Sequence, residues 1–335
     1  MKPFLFFTLS LLICPITMIG QDVHFSQTAS NTLIFNPANT GNFYGSWRFG
    51  HNLRSQWKAI GQPYNTISLS FDKPFLLANR KFSAGIYLLD DKSGVIGLHK
   101  SGLLLSVASQ FFILHGILRL GVQGGLFNLS YDLNGATVPI QYDHSIGAFN
   151  SDLQYFEPNL GESKLYPDIN AGFAYQVLLG KYNTEIGAAV FHINRPNNSF
   201  FESNKLDMTY KGHLEINFAV GEKIRINPAT YFIYMAHASN LMLGSRVELD
   251  VPRNQSRLHS IFAGTYIRTG FDRTTDAIIA LIGANLFQFR IGLSYDINIS
   301  ELQQATHNRG AFELSIVYTG LGRKINPSMI PCFRQ

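Results

Sequence analysis

Asp90 and Asp91 stand side by side in DDKSG. Two neighbouring carboxylates are what general acid–base work or a divalent cation would need. His192, Asn194 and Arg195 gather an imidazole, an amide and a guanidinium within four residues, a set with catalytic potential. GVQGG (121–125) is Gly-rich. Each stretch has a plainer reading. DDKSG has the composition of a solvated loop. The His192 set falls where a strand meets its loop. GVQGG lies within a strand pattern, where Gly relieves crowding or marks a bend. The ten histidines are dispersed, with no HExxH, CxxC or paired-His spacing, and the chain has no GxSxG elbow or Walker loop. The sequence therefore predicts no catalytic site, metal centre or cofactor.

The elements that carry these residues are strands. In FQFRIGLSYDIN (287–298), Phe287, Phe289, Ile291, Leu293, Tyr295 and Ile297 alternate with Gln288, Arg290, Gly292, Ser294, Asp296 and Asn298. A two-residue period marks a β-strand with one apolar face. The pattern recurs in NTISLSFD (65–72), HLEINFAV (213–220) and FELSIVYT (312–319), and less strictly in ten further segments between Ser46 and Asn285. About fourteen strands are expected, joined without amphipathic helices, so the pairing is antiparallel. Many run to about ten residues, as a tilted membrane strand requires, whereas strands of soluble sheets average about 5–6.

Composition agrees with that medium. The chain is 46% hydrophobic and 15% charged, with 29 Gly and 13% aromatic residues. Soluble proteins average about 25% charged, yet no stretch reads as a mature membrane helix. Lys2 precedes the apolar run FLFFTLSLLICPITMIG, ending at Gly20, which reads as a secretory signal peptide cleaved near Gly20. Cys14 follows Ile13 rather than the small residue a lipoprotein signal needs. Cleavage leaves Cys332 alone, so no intrachain disulfide is expected. The net charge of +5 comes from scattered residues rather than a basic face, which argues against nucleic acid.

Connection lengths alternate. Long links follow odd strands: DDKSGVIGLHK, residues 130–168, NRPNNSFFESNKLDMTY, TGFDRTT and SELQQATHNRG. Short ones follow even strands: LHG, LGKYN, GE and almost nothing near Asn285. KPFLLANRK and DVPRNQSR are longer than this rule wants. Outer-membrane barrels segregate loops this way, with short periplasmic turns and longer outer loops. The expected fold is thus an all-β, antiparallel transmembrane β-barrel of about 14 strands in the outer membrane. The expected parts are a signal peptide (1–20), an irregular segment (21–45), the barrel (46–319) and a periplasmic tail (320–335). Apolar faces meet lipid. Arg48, Arg119, Glu215, Arg225, Arg246, Glu248, Arg290 and Glu313 face the lumen, along with Gln288, Ser294 and Asp296. The candidate lumen plug is residues 21–45, too irregular for a strand and too apolar for a free tail; a periplasmic extension is the alternative.

Several stretches resemble the PorP/SprF outer-membrane proteins of the bacterial type IX secretion system. They are DVHFSQTASNTLIFNPANTG (22–41), NLRSQWKAIGQPYNTISLSFDKP (52–74), YPDINAGFAYQ (166–176), VFHINRPNNSF (190–200), INPATYFIY (226–234) and FRIGLSYDINISELQQATHNRGAFELSIVY (289–318). The ending INPSMIPCFRQ is similar to the family's short cysteine-proline-arginine-phenylalanine ending, in a different order. The matching positions are Asn36, Pro37, Arg54, Gln56, Trp57, Asp72, Asn170, Asn197, Tyr295, Asp296 and Ser300. The resemblance implies a non-enzymatic secretion barrel. Its partners would be periplasmic ring components or the C-terminal domain of a secreted adhesin, as in gliding motility. Asn36-Pro37 also suits a turn, and Trp57 an interfacial girdle.

Two functions follow. One is a barrel that docks or anchors a partner protein, through loops 130–168, 193–210 and 300–310 or through its periplasmic ends. The other is a passive or solute-selective channel, which needs a continuous polar path through the lumen.

Overall fold

The computed structural model describes residues 22–57, 62–78, 80–94, 97–131, 142–143, 145, 147–150, 163–199, 205–252, 257–271, 275–301 and 303–321. The signal segment, Cys332 and most of loop 130–168 lie outside them.

Fourteen strands close into one antiparallel barrel. They are β1 (Arg48–Gln56), β2 (Tyr64–Leu77), β3 (Arg80–Ser93), β4 (Leu98–Ile113), β5 (Gly116–Tyr131), β8 (Ser163–Leu179), β9 (Tyr182–Phe191), β10 (Thr209–Val220), β11 (Ile224–Met235), β12 (Ala238–Asp250), β13 (Leu258–Thr269), β14 (Ala277–Leu286), β15 (Phe289–Asn298) and β16 (Arg309–Thr319). Two-residue strands β6 (Tyr142–Asp143) and β7 (Ala148–Phe149) form a small hairpin in the link between β5 and β8. The ring closes where β1 pairs with β16, from Arg48 opposite Thr319 to Gln56 opposite Ala311. Closure leaves no open sheet edge, which a lipid environment demands of every backbone polar group.

The alternation acts as read from the sequence. On β15, Phe289, Leu293, Tyr295 and Ile297 are exposed outward, while Ser294, Asp296 and Asn298 are buried inward. The strands run longer than the periodicity suggested. β2 and β3 absorb most of KPFLLANRK and leave a link of 78–79. β3 also takes in Asp90 and Asp91, correcting their reading as loop: Asp91 accepts from Thr66 Oγ1 at 2.6 Å, and Asp90 pairs with His99 Nε2 at 2.6 Å. Both residues extend a strand because each finds a cross-strand partner. The link between β11 and β12 is just Ala236–His237, an exception to the parity of loop lengths.

Residues 22–45 lie inside the ring. They contain two 3₁₀ turns (Thr28–Ser30 and Pro37–Asn39) and one α-turn, α1 (Thr32–Phe35). Leu33 and Phe25 pack with Tyr87, Leu104, Phe127 and Tyr166. Phe35 packs with Tyr231, Phe262, Tyr266 and Ile279. The apolar core therefore sits between this segment and the inner wall, and each buried side chain is worth about 1.5–3 kcal/mol. The segment starts near Lys100 and His192, at the end of the ring with the long links. It finishes at Gly45 beside Thr319, at the end with the short turns.

Candidate functional site

The inner wall is built to hold that segment. Asn36 follows α1, and its Oδ1 accepts the Ala38 N–H at 2.9 Å, capping the second 3₁₀ turn. Its Nδ2 donates to the carbonyls of Phe173 (2.9 Å) on β8 and Ala188 (3.4 Å) on β9. Three wall glycines make room. A Cβ on Gly121 would stand 2.4 Å from the Pro37 carbonyl, one on Gly172 2.2 Å from Asn36 Oδ1, and one on Gly187 3.0 Å from Asn36 Nδ2. Gly121 belongs to GVQGG, so its lack of a side chain serves close backbone approach.

Ser26 marks a second anchor. Its N–H donates to Glu313 (2.8 Å) and its hydroxyl to Asp296 (2.8 and 2.9 Å). Arg54 on β1 pairs with Asp296 (3.0 Å) and Glu313 (3.2 Å) and donates to Ser26 Oγ (2.7 Å). Arg268 on β13 reaches Asp296 at 2.9 Å. Every member is buried. Such a network is stable because each charge has a counter-ion and hydrogen bonds; removing one partner strands the rest. Gln27 adds a bond to the Glu313 carbonyl, and Asn31 bonds Ser68 and Tyr87.

A third anchor holds the start of the segment. Asp22 accepts from Lys100 Nζ at 2.8 Å and lies 3.4 Å from His192 Nε2. His192 Nδ1 meets Asp168 at 2.7 Å. Burial raises the Asp22 pKa, but Lys100, His192 and Lys211 outweigh it and hold the carboxyl well below its usual range. Burial lowers that of His192, yet Asp168 and Asp22 leave it raised. His24 is half-buried near Arg268 and Arg54, and desolvation first, then those charges, pushes its pKa well down. Lys211 donates to the Ile34 carbonyl at 2.8 Å.

The segment's later part is tied as well. Asp72 accepts the Gly41 N–H at 2.7 Å and pairs with Arg48 at 2.8 Å. Arg119 pairs with Glu185 at 2.6 Å; Glu185 also receives Asn42 at 3.3 Å and lies 3.2 Å from His213. Two interior spaces against the segment measure about 10 and about 30 Å³.

The remaining sequence candidates scatter. Gln56 accepts from Arg54. Trp57 has φ +60° and packs edge-on against Tyr64 at 4.9 Å. Asn170 is buried, bonded to Gln123 and the His192 N–H. Asn197 is exposed, forms an isolated β-bridge with Lys205 and accepts from the Ser199 N–H. Tyr295 points outward, and Ser300 donates to Asn298. Glu215 accepts from Tyr231. Arg246 and Arg290 lie over the Phe262 ring at 5.8 and 4.2 Å. Arg225 pairs with Glu248 (2.9 Å) and Asp250 beside an open recess of about 910 Å³. Sequence reasoning missed Asp22, Lys100, Asp168, Lys211 and Arg268. The inward parity of Lys100, Asp168 and Arg268 on their strands was the available signal. Among the described residues, no group of three His, Cys, Asp or Glu is placed to hold a metal ion.

The comparisons agree with this architecture. The toluene transporter TbuX of Ralstonia pickettii is 10% identical, with 88% of this chain and 94% of that chain covered and a TM-score of 0.50. The CymD monoaromatic hydrocarbon channel is 11% identical over 88% and 94%, with a TM-score of 0.49. BamA from Haemophilus ducreyi, lacking POTRA domains 1–3, is 10% identical over 82% and 70%, with a TM-score of 0.43. At 10% identity the likeness to TbuX is one of fold. Among curated proteins, none matches the sequence. Residues 17–318 match the family described as type IX secretion system membrane protein PorP/SprF. The chain belongs to that family and is an outer-membrane β-barrel of the type IX secretion machinery.

Proposed function

We propose that the barrel is a closed docking platform. It anchors a partner protein in the outer membrane, either a periplasmic ring component or the C-terminal domain of a secreted, adhesin-like surface protein. One observation carries this reading: residues 22–45 are bonded to β1, β2, β8, β9, β10, β13, β15 and β16, around the circumference of the lumen. A passive channel needs a continuous polar path, and this segment occupies it as a plug. The spaces beside Ser26–Ser30 and beside Asp22–His24, about 10 and 30 Å³, hold a few waters at most. The family supports the same reading, because a secretion-system membrane protein works with other components of that machinery.

The test is affinity capture of the tagged full chain from detergent-solubilised outer membranes, with mass spectrometry of what accompanies it. Recovery of ring components or of one large adhesin-like protein is expected. Recovery of the barrel alone, with steady conductance in planar bilayers, would overturn docking in favour of a solute channel.

A further inference from the structure

Along β2, β4 and β8 the lumen-side positions are buried or half-buried until the last residues before the short turns. There they become apolar and exposed. Leu76 is 75% exposed, Phe112 80% and Leu178 67%. Four residues earlier on the same faces, Asp72, Ala108 and Ala174 are all buried. Lipid meets the opposite face, so it does not cover these three. The segment inside the ring meets this wall as far as Asp72, Ser83, Ser106, Gly121, Gly172 and Glu185 and stops short of the three.

The three form one lip. Phe112 is opposite Ile117, and Ile117 is opposite Gln176, two residues before Leu178 on the same face. Leu76 is opposite Lys81, whose carbonyl accepts from Ser109 Oγ on β4 at 3.5 Å, three residues before Phe112. Leu114 projects from the tip between β4 and β5, 81% exposed, with φ +48°. Two-residue hairpin turns of this kind usually take Asn or Gly. Charge at these tips has one sign. Residues 73–82, 110–118 and 176–184 contain no Asp or Glu but include Arg80, Lys81 and Lys181. These are the short turns, which face the periplasm in an outer-membrane barrel.

We propose that this lip seats a segment of a periplasmic protein that brings an aliphatic or aromatic anchor flanked by carboxylates. The inward parity of Leu76, Phe112 and Leu178 favours protein over phospholipid, and Arg80, Lys81 and Lys181 call for a negative complement. The proposal rests on the docking reading above and names its surface and the chemistry of its partner.

A photo-crosslinking residue at Phe112 or Leu178, in the full chain in growing cells, tests it. Leu105, exposed on the outer face, is the control. Protein adducts are expected at the lip and not at position 105, and the crosslinked peptide should carry apolar residues next to Asp or Glu. The triple variant R80E/K81E/K181E should lower adduct yield at least tenfold while the heat-dependent gel shift of the folded barrel is unchanged. Phospholipid adducts alone, a crosslinked peptide without carboxylates, or an unchanged yield in the triple variant would overturn the proposal. If affinity capture recovers a partner while lip positions give no protein adduct, the lip fails and docking stands. If neither gives a partner, docking itself fails.

Discussion

Asn36 Oδ1 occupies the place next to Gly172 where a side chain would begin, 2.2 Å from its Cβ position. The amide cannot retreat cheaply, since it is held by Ala38, Phe173 and Ala188. Gly172→Ala should therefore unseat the Asn36 turn, at a cost of about 1–3 kcal/mol from overpacking. The readout is the urea midpoint for loss of the compact, heat-modifiable form. In an Asn36→Ala background the same change should cost less, because the obstructing amide is gone. Equal costs in both backgrounds would show that the two residues are independent.

Arg54 neutralises two carboxylates at once. Arg54→Met leaves Asp296 with Arg268 alone and Glu313 with no cation in contact. A loss of about 3–5 kcal/mol is expected, as for a broken buried ion pair. Arg195→Ala, which breaks an exposed pair with Asp207 at 3.1 Å, should cost about 0–1 kcal/mol. Urea titration of both variants in one lipid system checks the contrast. A small loss in Arg54→Met would mean that the network is not holding the segment to the ring seam.

Chain direction gives a topological prediction. Tyr44 is exposed at the short-turn end, whereas Phe271 is exposed in the link between β13 and β14 at the other end. With Cys332 replaced by Ser, Phe271→Cys should react with a membrane-impermeant maleimide on intact cells. Tyr44→Cys should react after the outer membrane is permeabilised. The reverse pattern would invert the barrel.

The fold was legible because its signal is local. Alternation along FQFRIGLSYDIN reports two media directly, and Asp296 and Glu313 fell on the inner face by parity alone. Strand ends were less legible. Asp90 and Asp91 look like a loop in isolation, and just the cross-strand partners His99 and Thr66 make them strand. The anchors were least legible. Ser26 and Asp296 are 270 positions apart, Ser26 and Glu313 287. No periodicity within either segment records that they meet. The exposed lip was hidden for a related reason: Leu76, Phe112 and Leu178 follow no polar-inward rule, and their exposure depends on where the inner segment ends.

The third anchor, Asp22 with Lys100 and His192, should make stability depend on pH in two directions. Asp22 has its pKa depressed in the folded state: burial opposes this, but Lys100, His192 and Lys211 prevail. Its contribution is present above the unfolded value, about 3.9, and is lost as pH falls through the folded value. His192 has its pKa raised against burial by Asp168 and Asp22. Its contribution is complete below the unfolded value, about 6.5, and is lost as pH rises through the folded value. Both contributions are therefore full between about pH 5 and 6.5. Urea midpoints from pH 3 to 9 should peak there. His192→Gln should remove much of the fall on the alkaline side, and Asp22→Asn should weaken the fall below pH 4. Because Asp22 and His192 are 3.4 Å apart, Asp22→Asn should also shrink the alkaline fall. Profiles of the two variants that parallel the parent chain would show that this anchor does not couple the segment to the wall.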